Sequence, residues 1–257
     1  MQKKKSKAKE KDKIYTHVKK GPFAALFKIL VVNILIRKME FIFHDGKPEE
    51  PAALVCNHTK IMAPLVLQYM YPGNLRTWSN ARLTHKTTCL EMLTENVEGI
   101  KQEKLYKFLL PIFAPLFAYY FREKLNCIPV YHDLRVKHTF EESVRTLENG
   151  SHIAIYPEKK APAVNEVLCP FASGFVYLAY NYYNETGKRL KFYPVYCAFS
   201  LRQTHIGKPV EYDPGVNIKK QAADVADYLA SEITNMARSL PPHKISHLLN
   251  DFNLEEK

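Results

Sequence analysis

The chain lacks the cysteine spacing of a metal site or a redox pair. Its five cysteines, Cys56, Cys89, Cys127, Cys169 and Cys197, stand at least 28 residues apart, so no C-x-x-C arrangement exists for zinc or thiol exchange. The number is odd and no secretory leader is in view, which reads as reduced, buried thiols in a cytoplasmic-type compartment. An apolar run of about twenty residues, the length a spanning helix needs, is also missing. The longest candidate, residues 22–36, is interrupted by Lys28 and Asn33. There is no internal repeat. No recognised nucleic-acid motif or interleaved aromatic–basic platform accompanies the basic residues, so nucleic acid is not expected as a partner.

What the chain does have is 257 residues, 46% of them apolar and 25% charged, enough for a substantial core. Its formal charge of +11 is unevenly placed. The first twenty residues hold nine lysines against Glu10 and Asp12, a net of +7, which leaves +4 for the rest. A basic arm on a nearly balanced domain points to an anionic surface. Residues 1–20 read as a flexible arm that cannot bury enough apolar surface to order itself. Residues 21–48 read as a helical element with basic flanks, either lying in a membrane interface or packed as a core helix. Residues 49–257 read as one α/β domain.

Within that domain short apolar runs alternate with helical stretches. Strands are expected at 52–56, 75–79, 127–131, 153–157, 192–198 and 204–206. Helices are expected at 62–70, 101–122, 136–148, 171–186 and 219–239, with Asn149-Gly150 and Gly187 as C-terminal stops. The alternation predicts an α/β fold whose central, mostly parallel sheet is flanked by helices. Residues 108–121 carry two prolines and four phenylalanines. They read as a poor regular helix, and as a lipid-facing surface, the wall of an acyl-chain tunnel, or core packing.

Chemistry enters at His58, which follows a strand and precedes a helix, at the mouth of such a sheet. A neutral imidazole there is able to take the proton of a hydroxyl as it attacks a carbonyl. Three more pieces follow: Ile128-Pro129-Val130, then Tyr156-Pro157-Glu158 with Pro170-Phe171 and Gly174, then Tyr193-Pro194-Val195. With Asn57-His58 they resemble, in order and spacing, the glycerolipid (lysophosphatidate-type) acyltransferase family, over roughly 60% of the chain. The family's blocks are N-H-x-x-x-x-D, I-P-V before Asp-Arg, F-P-E-G-T-R with P-F-x-x-G, and V-P-V.

The resemblance implies a glycerol-phosphate acyltransferase-like α/β domain on the cytoplasmic face of a membrane, peripheral or monotopic, with anionic lipid as a partner. It implies transfer of an acyl group from acyl-CoA or acyl carrier protein to a glycerol-phosphate or lysophospholipid hydroxyl. His58 would be the general base and Glu158 would shape the acceptor site, with no metal, no cofactor and no covalent enzyme intermediate. Three departures accompany it: Ala63 stands at the orienting aspartate, Tyr131-His132 at Asp-Arg, and Lys159-Lys160-Ala161 at Gly-Thr-Arg. Lys60, Lys159, Lys160 and Arg135 are the expected substitutes for the phosphate-binding arginines. Asp133, Glu158 and Glu166, or a backbone carbonyl, are the expected substitutes for the orienting carboxylate. Ala63 also keeps open a catalytically impaired relative that binds acyl chains or anionic lipid without turnover.

Overall fold

The computed structural model describes residues 38–59, 62–97, 103–246 and 251–254. The basic arm, the apolar stretch 22–36 and Lys60 therefore lie outside the described residues. In chain order the elements are β1 (Glu40–Phe43), β2 (Ala53–Cys56), α1 (Met62–Met70), β3 (Leu75–Asn80), α2 (Lys86–Val97), α3 (Glu103–Tyr119), β4 (Ile128–Val130) and α4 (Val136–Glu148). There follow β5 (His152–Ile155), α5 (Tyr177–Thr186), β6 (Lys191–Ala198), β7 (Gln203–Ile206), β8 (Val210–Glu211), α6 (Ile218–Arg238), β9 (His243–Ser246) and β10 (Asp251–Leu254).

Eight strands form one sheet in the order β1-β7-β6-β2-β5-β3-β4, with β8 pairing the start of β6. From β6 to β4 all neighbours are parallel, whereas β7 runs antiparallel to β6. The expected α/β architecture with a mostly parallel sheet is present, and the sheet is mixed at one side. Strand β1 also belongs to it, pairing parallel with β7. The sheet thus takes in residues 40–43, which the sequence reading assigns to the N-terminal helical element.

Alternation along the strands divides the core into two layers. Ala53, Val55, Ile153, Ile155 and Phe192 face α4, α5 and α6 through Leu147, Leu178 and Leu229. Their neighbours Leu54, Cys56, Ala154, Tyr193 and Val195 face α1 through Val66 and Leu67. Both faces being covered, β2 and β5 are buried at every position, as central parallel strands should be. Helix α6 buries Ala222, Val225, Ala226, Leu229, Ile233 and Ala237 at helical spacing, and the Asn217 side chain caps its start by accepting the Lys219 N–H at 3.0 Å. Gly187, at φ 71°, closes α5 in the left-handed conformation that favours glycine.

Two expectations about helices need correction. The prolines in the aromatic segment do not prevent a helix: Pro111 and Pro115 lie inside α3, which runs on to Tyr119 and a π-helical turn over Tyr120–Lys124. Each proline removes one backbone donor, but packing holds the helix, because Ala114 and Ala118 on one side bury against Cys89 of α2. The segment 171–186 begins not as an α-helix but as a 3₁₀ turn over Ser173–Val176, and becomes α-helical at Tyr177. No helix among the described residues is long and apolar enough to cross a membrane.

Candidate active site

Strand β2 leads into α1 on one face of the sheet, while its neighbour β5 leads, through residues 156–172, into α5 on the other. Adjacent parallel strands whose connections part to opposite faces leave a crevice outside their carboxyl ends, where α/β sheets commonly bind ligands. His58 follows β2 and Glu158 follows β5, so both stand in this crevice.

Glu158 ties the crevice together. Its Oε1 accepts the backbone N–H of His58 at 2.5 Å, and its Oε2 accepts the backbone N–H of Cys169 at 2.8 Å. Residues 157–159 run antiparallel to 170–172, through a bridge between Glu158 and Phe171 and the bonds Lys159 N–H to Pro170 O and Ala172 N–H to Pro157 O, each 2.9 Å. The two halves of the third motif block are therefore one paired structure. The His58 ring meets the Tyr156 ring edge-on, with centroids 5.4 Å apart. The Tyr156 hydroxyl is buried with no hydrogen-bond partner among the described residues, and burial holds it well above the usual phenol range.

Asn57 joins the first block to the fourth. Its N–H reaches Val195 O at 3.3 Å, and its side-chain oxygen accepts the Cys197 N–H at 2.7 Å. These bonds carry the β2–β6 ladder past the end of β2, immediately before His58. Thr59 then starts α1, its hydroxyl accepting the Ala63 N–H at 2.8 Å. Ala63 itself is completely buried. The thiols of Cys56 and Cys197 are raised by burial, that of Cys197 to about 12, so neither is a thiolate nucleophile near neutral pH.

Beside Thr59 opens a cavity of about 250 Å³, also lined by Met62, Tyr196, Cys197, Ser200 and Lys244. Sequence reasoning missed every one of these residues. Thr59 was the nearest to being found, because it directly follows His58, whereas Lys244 reaches the site on β9, far along the chain. Among the described residues no cluster of three or more His, Cys, Asp or Glu is arranged to hold a metal ion.

The remaining candidates are distributed as follows. Lys159 and Lys160 directly follow Glu158 and are exposed. The guanidinium of Arg82, bonded to it at 2.7–2.9 Å, and, more weakly, the charge of Lys160 hold the Glu95 carboxyl of α2 below its usual range. The second block, Ile128-Pro129-Val130, is the edge strand β4, separated from β2 by β5 and β3. It is thus not brought to His58, since three inter-strand spacings amount to about 14 Å. Arg135 follows β4 and forks onto Asp133 at 2.6–3.1 Å, with its guanidinium 4.7 Å over the Tyr131 ring. That pairing holds the Asp133 carboxyl down at about 2. Glu166 accepts from Arg238 at 2.7 Å. Asp133 and Glu166 are thus each engaged by an arginine, and Glu158 binds the main chain of His58.

No family model and no curated protein matches the chain. Among solved structures it is similar to the 1-acyl-sn-glycerophosphate (LPA) acyltransferase PlsC from Thermotoga maritima, with 13% identity over 77% of this chain and 73% of that one, and a TM-score of 0.42. A likeness of that size assigns no activity to this chain.

Proposed function

We propose that this protein transfers a fatty acyl group from an acyl thioester, on coenzyme A or acyl carrier protein, to a hydroxyl of a glycerol-phosphate or lysophospholipid-type acceptor. The observation that carries the reading is the bond from Glu158 to the His58 N–H. It joins two motif blocks a hundred residues apart in sequence, at neighbouring strand ends, in a crevice suited to a ligand. In this reading the His58 imidazole takes the acceptor hydroxyl proton while the oxygen attacks the thioester carbonyl carbon. The tetrahedral intermediate collapses by breaking the carbon–sulfur bond, and the leaving thiolate recovers the proton from the imidazolium. Lys159 and Lys160, exposed beside Glu158, supply positive charge for an anionic acceptor.

The test is acyl transfer by the purified protein, offered labelled acyl-CoA and acyl-carrier-protein donors with phosphorylated and neutral glycerol acceptors. Turnover is expected, with a loss of about 10²–10⁴ in His58→Ala. A phosphorylated acceptor should be preferred, and that preference should shrink in Lys159→Ala/Lys160→Ala. One observation favours a second reading, a lipid-binding relative without turnover: the position expected to orient the histidine is Ala63, fully buried in the first turn of α1. Absence of turnover with every donor–acceptor pair, in folded protein, decides for that reading.

A further inference from the structure

Helix α3 presents its large side chains outward. Leu105, Phe108, Ile112, Leu116 and Tyr119 follow helical spacing along one stripe, with Phe113 and Phe117 beside it, and these seven are between 43% and 73% exposed. The opposite side is the one that packs, through Ala114 and Ala118 onto α2. A 17-residue helix is about 25 Å long, short of a bilayer core and interrupted twice by proline, so it is built to lie along an interface and not to cross one. Its charges select the kind of interface. Residues 104–122 contain no Asp or Glu; Lys104 and Lys107 stand at the start of the stripe and Arg122 and Lys124 follow it, and with Glu103 paired to Lys107 at 2.7 Å and Glu123 to Arg122 at 3.2 Å the helix and its ends keep a net charge of +2. The Lys124 ammonium rests 5.7 Å from the Tyr119 ring centroid, at the border where a basic side chain reaches from apolar surface toward a headgroup.

We infer that the outer face of α3 docks on an anionic lipid bilayer, its apolar stripe in the acyl boundary and its flanking cations on the headgroups. The helix packs against α2, and the pair stands between β3 and β4 in the chain. The inference concerns a surface and stands whether or not the chain turns over an acyl donor.

A spin label at Ile112→Cys in the full chain tests it, the five native cysteines being buried. In solution the label is expected to be open to water-soluble relaxant. On vesicles of phosphatidylglycerol and phosphatidylcholine it should move into the oxygen-rich layer, while a label at Lys188→Cys stays in water. Ile112→Glu/Leu116→Glu, both at exposed positions, should melt like the parent and lose about 10²-fold in vesicle partitioning. Unchanged partitioning of this variant overturns the inference, as does a parent that binds no vesicles. So does a label at 112 already shielded before vesicles are added, which would assign the face to another part of the chain or to a second copy. Vesicle docking without acyl transfer to a detergent-dispersed acceptor counts against the acyltransferase reading and leaves the docking surface intact.

Discussion

At the scale of single residues, Glu158 acts as a clamp before it acts as anything else. A carboxylate accepting two backbone N–H groups from separate loops fixes both, and such charge-assisted bonds are each worth about 1.5–3 kcal/mol. Glu158→Gln retains one acceptor oxygen and turns an amide NH₂ toward the other N–H. It should destabilise the fold by about 2 kcal/mol, measured by denaturant unfolding. Activity should fall further than that loss explains, because the backbone of His58 is what the clamp positions. Tyr156 makes the contrasting case. Its hydroxyl is buried without a partner among the described residues, so the phenol bears a desolvation cost with no compensating bond from them. Tyr156→Phe keeps the ring against His58 and should raise stability by about 1 kcal/mol, a shift of roughly 2–4 °C in the thermal midpoint. An unchanged or lower midpoint would mean that the hydroxyl has a partner.

At the scale of elements, Arg76 on β3 holds together pieces that the sheet alone does not. Its guanidinium pairs with Glu142 of α4 at 2.6 Å, donates to Thr146 at 2.8 Å, and bonds the side-chain and main-chain oxygens of Asn126 just before β4. Asn126 sits at φ 50°, a conformation that asparagine tolerates better than most residues. Arg76→Met should cost about 3–5 kcal/mol by leaving Glu142 without its cation, and adding Glu142→Gln should return part of that loss in a double-mutant cycle. This junction could not be read from the sequence, since nothing local marks an arginine as buried. What could be read had a local cause: the short apolar runs of β2 and β5, the long apolar face of α6, the glycine stop of α5. Helix α2 is not predicted because its apolar positions are few: among its described side chains only Cys89 is fully buried, with Leu90 and Leu93 partly so. The reversed direction of β7 and the place of β1 beside it are tertiary choices that a strand's own residues do not encode. The candidate site divides the same way. His58 and Glu158 were visible as motif residues, whereas the bond from Asn57 to β6 and the cavity wall at Cys197 and Lys244 exist only once strands are side by side.

For the molecule as a whole, the two ends of the parallel strands have different work. The carboxyl ends carry the crevice, and the amino ends are sealed by buried polar groups, among them His152 at the start of β5. The residue is 7% exposed, its ring lies edge-on to Tyr71, and its Nδ1 accepts the Ala52 N–H at 3.2 Å. An imidazole that accepts at Nδ1 must be the neutral Nε2–H tautomer, so protonation sacrifices that bond as well as placing a charge in the core. Burial, with the charge of Lys47 adding to it, pushes the group down to about 4 from an ordinary value near 6.5. Because the folded pKa is the lower one, the unfolded chain binds the extra proton between these values. Stability is therefore full above pH 6.5 and falls as pH drops toward 4, by up to about 3 kcal/mol from this residue. His152→Asn retains an acceptor for the Ala52 N–H and removes the titration. Its deficit relative to the parent in denaturant unfolding should accordingly be largest at pH 7 and shrink by about 2–3 kcal/mol by pH 4.5. A deficit that stays constant across that range would place the acid sensitivity of the fold elsewhere, with His205, also lowered by burial, next in line.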